Sequence, residues 1–247
     1  MKTTKLALSI GCAIGLICSP ILVTQSNAAE QTITPDLTTI GAAETAWQIF
    51  GVESPGFATA QIGGKTCVER KGKPKDAVDG SVGAIFQGVV FSEGVIEVDL
   101  KGYDRKQGSF VGVLFHAVDG QTYDAVYFRP FNFESADTES LAHCVQYISP
   151  PQWRWNNLRR EKPGQFENAI TPALKAEEWF HARIEVDGET IRVFVNDSAE
   201  PSLSVKKLNE RKEGLLGLWV TGQGAFANLK VSLKSKQANK SHAGDGR

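Results

Sequence analysis

Residues 110–129 read Phe110-Val111-Gly112-Val113-Leu114-Phe115-His116-Ala117-Val118-Asp119-Gly120-Gln121-Thr122-Tyr123-Asp124-Ala125-Val126-Tyr127-Phe128-Arg129. Two runs of β-branched and aromatic residues flank an Asp-Gly pair, which describes two antiparallel strands joined by a tight turn, because glycine accepts the positive φ that such a turn needs. A two-residue turn at Asp119-Gly120 pairs Val118 with Gln121, His116 with Tyr123, Leu114 with Ala125, Gly112 with Tyr127 and Phe110 with Arg129. Directly opposed residues share a face. Val111, Val113, Phe115, Val126 and Phe128 therefore form an apolar side that belongs in a core. Phe110, His116, Tyr123, Tyr127 and Arg129 point the other way and mix rings with hydrogen-bonding groups.

The same device recurs along the chain. Asp187-Gly188 pairs Glu185 with Thr190, Ile184 with Ile191 and Ala182 with Val193, leaving Arg183, Glu185 and Arg192 on a solvated outer face. Further strands are expected at 84–87, 95–100, 143–148, 203–206, 215–220 and 225–233, and the second arm of the first hairpin at 122–131. Short strands separated by Gly, Asp-Gly or Pro from Thr45 onward form the pattern of an all-β sandwich, and no run of helical period competes with them. Composition points the same way, with 24 Gly, 13 Phe and 5 Trp against a single Met, which argues against a helical bundle. At 41% hydrophobic residues the chain is not disordered throughout. Its formal net charge of −1, with no strongly basic stretch, lacks the electrostatic footprint of a nucleic-acid binder.

The ends of the 247-residue chain fall outside this pattern. Lys2 and Lys5 begin a basic segment, residues 6–23 are apolar but interrupted by Gly11, Gly15 and Pro20, and Ser26-Asn27-Ala28 supplies small residues for cleavage. This reads as a secretory signal peptide cut near Ala28, rather than as a membrane span. Loss of Lys2 and Lys5 leaves 28 acidic residues against two fewer than 27 basic ones, a net charge of about −3. Residues 29–44 form an extension, 45–233 the sandwich domain, and the polar tail 234–247 lacks large apolar side chains and is expected to be disordered. Cys12 and Cys18 leave with the signal. Cys67 and Cys144 remain, either as a disulfide formed in an oxidising compartment or as two separate buried thiols.

Three groups of residues in order carry a family resemblance. These are Phe91-Ser92-Glu93-Gly94-Val95-Ile96-Glu97-Val98-Asp99-Leu100 with Gly112-Val113-Leu114-Phe115; Tyr123 to Pro130 with Trp179 to Val186 and Val193-Phe194-Val195-Asn196-Asp197; and Gly217-Leu218-Trp219 with Ala227-Asn228-Leu229. The chain resembles the concanavalin A-like lectin/glucanase superfamily, in particular the laminin-G-like and 3-keto-disaccharide hydrolase-like domains of secreted bacterial proteins. The resemblance covers most of 45–233 and implies an all-β jelly-roll β-sandwich of two antiparallel sheets whose concave sheet faces a carbohydrate. It also keeps a structural calcium ion open, although no acidic loop here has the ligand density of a recognisable site and no metal-ligand spacing is present. Fold alone does not assign activity.

Glycosidases of this superfamily need paired carboxylates on one strand face. Glu185-Val186-Asp187-Gly188-Glu189 has an acid-x-acid-x-acid spacing, but the hairpin turn at Asp187-Gly188 disperses the acids. Glu97-Val98-Asp99 lacks a third acid, so a polar strand face accounts for it. The catalytic candidates that remain are His116, Asp124, His143 and Glu167, where histidine supplies the proton transfer that paired carboxylates would otherwise perform. Asp124 alternates with core residues and serves as readily as a buried anchor.

A carbohydrate site needs aromatic rings for the C–H faces of a sugar and polar side chains for its hydroxyls. Tyr123, Tyr127, Arg129 and Asn132 supply both on one face, and Gly112 opposite Tyr127 removes bulk there. Those rings serve equally to support a covering loop. That loop runs from Ser149-Pro150-Pro151 through Trp153 and Trp155 to Glu167, and its tryptophans either stack on a sugar or plug the sheet. His143 and Tyr147 precede it and share one side by alternation, with Gln146 on the other. The expected function is carbohydrate binding by a secreted or periplasmic protein. A glycoside hydrolase or lyase and a protein-interaction domain are the alternatives.

Overall fold

The computed structural model describes residues 31–51, 56–72 and 82–235. The expected signal peptide and all but the first two residues of the polar tail lie outside them. In chain order the strands are β1 (Gln31–Ile33), β2 (Trp47–Phe50), β3 (Phe57–Ile62), β4 (Lys65–Arg70), β5 (Val82–Phe91), β6 (Gly94–Lys101), β7 (Ser109–Ala117), β8 (Asp124–Phe128), β9 (Val145–Ile148), β10 (Glu167–Asn168), β11 (Trp179–Asp187), β12 (Thr190–Val195), β13 (Leu203–Lys206), β14 (Gly214–Gly222) and β15 (Gly224–Leu233). Two short helices, α1 (Thr138–Leu141) and α2 (Trp155–Glu161), interrupt them. The strands form two antiparallel sheets. One is ordered β13-β12-β11-β6-β15-β4-β3, with β1 also paired to β15, and the other β10-β9-β8-β7-β14-β5-β2. This is the expected jelly-roll sandwich.

The apolar side expected for the β7–β8 hairpin is the core: Val111, Val113, Phe115, Val126 and Phe128 are each at most 1% exposed. Across the sandwich they meet the inner face of β11, where Phe180, Ala182, Ile184 and Val186 alternate with exposed or half-buried neighbours. The rings of Phe128 and Phe180 join the two sheets edge to face, with centroids 5.0 Å apart. The described part of the extension, 31–44, also joins this structure. Leu37 and Ile40 are buried in the same core, and Asp36 caps a 3-10 turn by accepting from Thr38 N–H.

The pairings Leu114–Ala125 and Gly112–Tyr127 are as the alternation dictates. The turn is not. Val118 N–H bonds to Thr122 O at 2.9 Å, and Asp119 Oδ1 accepts from both Gln121 and Thr122 N–H, so the loop holds three residues, 119–121. The extra residue is taken up at His116, whose φ is +49°, where the β7–β14 register also slips between Leu215 and Gly217. This β-bulge turns His116 away from the face that alternation assigned to it. β8 ends at Phe128 rather than Phe131 because Pro130 opens a 3-10 turn over 130–132.

The second hairpin pairs Asp187 with Thr190, Glu185 with Arg192 and Ile184 with Val193, so its turn is Gly188-Glu189, with Gly188 at φ +59°. The shift from the expected pairing is two residues. It therefore preserves the faces, and Glu185 bonds to Arg183 and Arg192 on the outer side as expected. Cys67 and Cys144 form no disulfide. Both are free and buried, in separate clusters served by different sheets. Burial pushes the Cys144 thiol up to about 11.

Candidate functional site

A row of residues crosses six strands of the seven-stranded sheet, from β10 to β5. Glu167 lies opposite Gln146, Gln146 opposite Tyr127, Tyr127 opposite Gly112, Gly112 opposite Trp219 and Trp219 opposite Gly83. Gly112 leaves no side chain between its neighbours; an added Cβ would lie 2.1 Å from Val126 O and 2.6 Å from Tyr127 Cα. Across Gly112 the Trp219 indole stacks on Tyr127 with centroids 4.5 Å apart and planes 29° from parallel. Trp219 Nε1 donates to Tyr123 Oη at 3.0 Å, fixing the indole plane. Tyr123 is itself buried beside Phe50.

Arg129 closes the other side of Tyr127. Its guanidinium lies 4.9 Å from the ring centroid and donates to Tyr127 Oη and His143 O, both at 2.7 Å, and to Gln146 Oε1. Tyr127 Oη donates to the same Gln146 oxygen at 2.6 Å. Burial raises the Tyr127 phenol, against the pull of the Arg129 charge, so it stays protonated and able to donate. Gln146 Nε2 is buried and has no partner among the described residues.

Over this floor lies a cavity of about 560 Å³. Tyr127, Trp219, Arg129 and Phe110 form its base, Phe131 and Asn132 come from the turn after β8, and His143 lines one side. Pro150, Arg154, Trp155 and Arg159 overhang it from the long loop. The loop is ordered by α2: Leu158 is buried in the core, while Trp155 and Arg159, one helical turn apart, bring the Arg159 guanidinium 5.4 Å from the indole centroid. Arg159 Nε and Nη2 in turn reach Glu167 at 3.3 and 3.2 Å. Trp155 is 52% exposed, which is unusual for so large an apolar ring.

His143 precedes β9, in a turn where its N–H bonds to Ser140 O, so strand alternation does not govern it. His143 therefore lines the cavity and Gln146 joins the Tyr127 face, whereas Tyr147, opposite Val126, points between the sheets. His143 Nδ1 is 2.9 Å from Glu167 Oε2 but not aligned for a hydrogen bond. Burial holds the His143 ring below the ordinary imidazole value, helped by the Arg159 and Arg129 charges and opposed by Glu167. Glu167 is buried behind the wall, shared among His143, Arg159 and, at 3.6 Å, Arg129.

The remaining candidates lie elsewhere. His116 and Asp124 are fully buried between the sheets, with His116 Nδ1 3.3 Å from Asp124 Oδ2 and His116 Nε2 2.7 Å from Ser92 O. Tyr147 Oη and Asn209 Nδ2 each bond to Asp124 Oδ1 at 2.6 Å, and Arg211 lies 3.2 Å away. Trp153 is half-buried against the core with Lys162 over its ring, and so acts as a plug rather than a cavity wall. Of the expected ligand-binding set, Tyr127, Arg129, Asn132, His143 and Trp155 converge on the cavity, and Tyr123, Tyr147 and Trp153 do not.

Sequence reading missed Trp219, Phe110's place in the cavity base and the Arg154–Arg159 side. Trp219 was legible as the outward neighbour of Leu218, had β14 been placed beside β7. The acid-rich stretches sit on the other sheet, where Glu97 pairs with Lys230 and Asp99 bonds to Lys65, His181 and Asn228. Among the described residues no three His, Cys, Asp or Glu side chains are grouped to hold a metal ion, and no helix is long and apolar enough to cross a membrane.

Solved structures share the fold at low identity. The exoplasmic/lumenal domain of VIP36, in its Ca²⁺/Man3GlcNAc-bound form, is 9% identical with a TM-score of 0.52, covering 81% of this chain and 89% of that one. A glycoside hydrolase family 16 endo-glucanase from Bacteroides ovatus is 9% identical with a TM-score of 0.50, over 77% and 95%. The carbohydrate-binding module CBM66 from Bacillus subtilis is 16% identical with a TM-score of 0.49, over 77% and 98%. None of the curated proteins matches in sequence. The match that reaches beyond fold is to a family model spanning residues 45–232, and by it the chain belongs to the 3-keto-alpha-glucoside-1,2-lyase-like domain family.

Proposed function

We propose that the cavity over the seven-stranded sheet is a carbohydrate-binding site and that the protein is secreted, as its leader implies. The observation that carries this reading is the convergence of Tyr127, Trp219, Phe110, Phe131 and Trp155 with Arg129, Asn132 and His143 in one cavity. The exposed Trp155 ring suits the C–H face of a pyranose, while the stacked Tyr127 and Trp219 rings brace an apolar floor beneath it and the polar groups around the rim suit its hydroxyls. The volume accommodates a short oligosaccharide segment. The floor is preorganised because stacking and hydrogen bonds already hold Tyr127, Trp219 and Arg129, so little side-chain entropy is lost on binding.

Trp155 is the ring left most open to solvent. Its removal is expected to weaken glycan binding by about 2 kcal/mol, roughly 30-fold, with little effect on folding because the side chain is half exposed. A glycan array followed by calorimetric titration of wild type and Trp155→Ala checks this. Equal affinity in the two proteins rejects the site.

A second reading, turnover of a bound glycoside, is favoured by His143. Held neutral by its surroundings and lining the cavity, it is suited to take a proton. Among the described residues the cavity wall carries no carboxylate, so they offer no constellation for the two-carboxylate retaining mechanism there. Product release from a glycoside panel by wild type, lost in His143→Ala with binding retained, identifies the enzyme.

A further inference from the structure

One buried carboxylate is shared by three parts of the cavity. The Glu167 side chain is only 4% exposed, and its Oε2 lies 2.9 Å from His143 Nδ1, 3.2 Å from Arg159 Nη2 and 3.6 Å from Arg129 Nη1. Arg159 adds a second contact through Nε, 3.3 Å from Oε1. Each partner serves a different surface. Arg159 holds its guanidinium 5.4 Å from the Trp155 ring on the overhanging loop, His143 lines the side, and Arg129 lies on the Tyr127 ring of the base.

β10 contributes only two residues, and their surroundings fix them. Glu167 stands opposite Gln146, Phe166 O accepts from Tyr147 N–H at 2.9 Å, and Asn168 Nδ2 donates to Ser202 O at 2.9 Å. Glu167 also ends the long loop that begins at Ser149, so its bonds to Arg159 tie α2 and Trp155 back to the sheet. The charged groups around His143 are Glu167 from β10, Arg129 just after β8 and Arg159 from α2. Without the carboxylate, two guanidiniums and an imidazole share one corner of the wall, and like charges there repel.

Resting on the carbohydrate reading above, we propose that Glu167 is the positioning residue of the glycan site, fixing the Trp155 ring through Arg159, the His143 ring directly and the Tyr127 base through Arg129. Burial holds the His143 ring below the ordinary imidazole value; of the charges beside it, Glu167 opposes this and Arg159 and Arg129 add to it. Removing the Glu167 charge therefore lowers the pH at which His143 gains its proton, and removing the Arg159 charge raises it. A Trp155 ring released from Arg159 also loses the preorganisation that favours stacking on a sugar. Either change is expected to weaken glycan binding about tenfold.

The test compares wild type with Glu167→Gln, which keeps the shape of the side chain, and with Arg159→Gln, at a side chain 35% exposed. Calorimetric titration uses the tightest binder from an array that includes cellotetraose, laminaritetraose and maltotetraose. Proton NMR follows His143 from about pH 4 to 8, its signal assigned by its absence in His143→Ala. Weaker binding in both variants, with the His143 midpoint lower in Glu167→Gln and higher in Arg159→Gln, supports the proposal; a loosened fold alone would not move the midpoint in opposite directions. A thermal melt confirms that each variant is folded, and Arg159→Gln carries the test alone if Glu167→Gln fails to fold. Wild-type affinity in the folded variants, with binding still dependent on Trp155, overturns the positioning role and leaves the carbohydrate site standing. A His143 midpoint unchanged in both variants overturns it as well. No glycan bound by wild type overturns both readings together.

Discussion

Asp124→Ala is expected to destabilise the protein by about 3–5 kcal/mol, as removal of one member of a buried charged network does. That is a large share of the roughly 5–15 kcal/mol that holds a typical domain. Asp124 has no exposed surface and accepts from Tyr147 and Asn209 at 2.6 Å each, with His116 and Arg211 beside it. His116 faces a carboxylate on one nitrogen and Ser92 O on the other, so both ring nitrogens point at acceptors. Deleting the carboxylate leaves these buried donors without their acceptor. The network also reaches Ser149 Oγ through Asn209 at 2.9 Å and Arg211 at 3.1 Å, so it anchors the start of the loop that overhangs the cavity.

The acid dependence follows. Burial alone would raise the Asp124 carboxyl, but the hydrogen bonds from His116 and Tyr147 and the Arg211 charge outweigh it, and the group titrates below its ordinary 3.8. A carboxylate whose folded value is depressed adds stability that is fully present above the unfolded value and fades as pH falls through the folded one. The gap between wild type and Asp124→Ala is therefore largest above about pH 5 and narrows toward pH 2. Urea melts across that range read it out. A gap that stays constant would show that the carboxylate is not ionised in the fold.

Arg129→Ala is expected to lower glycan affinity by about 2–4 kcal/mol, at or beyond 30-fold. The side chain is only 5% exposed, lies on Tyr127 and bonds to Tyr127 Oη, His143 O and Gln146. Its loss frees the Tyr127 ring and unties the cavity base from His143 O and Gln146. Some loss of stability accompanies this, so the informative partner is Arg129→Lys. Lysine keeps the charge but not the planar fork that spans three acceptors, so the variant should fold and still bind about tenfold more weakly. Calorimetry on samples shown folded by a thermal melt decides; wild-type affinity in either folded variant places the ligand elsewhere.

Period-2 alternation made the core side of β7 and β8 legible, and with it the outward placement of Tyr127 and Arg129, because burial on one face leaves only one workable register. It failed where the backbone leaves the regular strand. Nothing in the side chains of Phe115-His116-Ala117 announces a bulge, yet φ +49° at His116 moves an expected site residue into the core network. His143 and Tyr147 part company for the same reason, since one lies in a turn and the other in a strand. The turn at Gly188-Glu189 lies one residue beyond the expected one and shifts each pairing by two, which leaves every face unchanged, so its error cost nothing in locating the charged outer side. The β3–β4 hairpin went unread although Gly63 and Gly64 both take positive φ at its turn, because its strands carry too few large apolar residues to stand out. The full cavity lining was unreadable for a different reason: Lys106, Arg129, Trp219 and the Arg154–Arg159 stretch are far apart in sequence and meet only through sheet order and the fold of α2.

The indole N–H signals of the protein report most directly on the central claim. Trp155 and Trp219 line the cavity, whereas Trp47 Nε1 is bonded to Asp36 O and Trp179 Nε1 to Ile62 O, both outside it. In a heteronuclear NMR titration with a bound oligosaccharide, the Trp155 signal is expected to shift strongly and Trp219 measurably, while Trp47 and Trp179 stay fixed. A titration in which Trp179 shifts and Trp155 does not would contradict the placement of the site on this face.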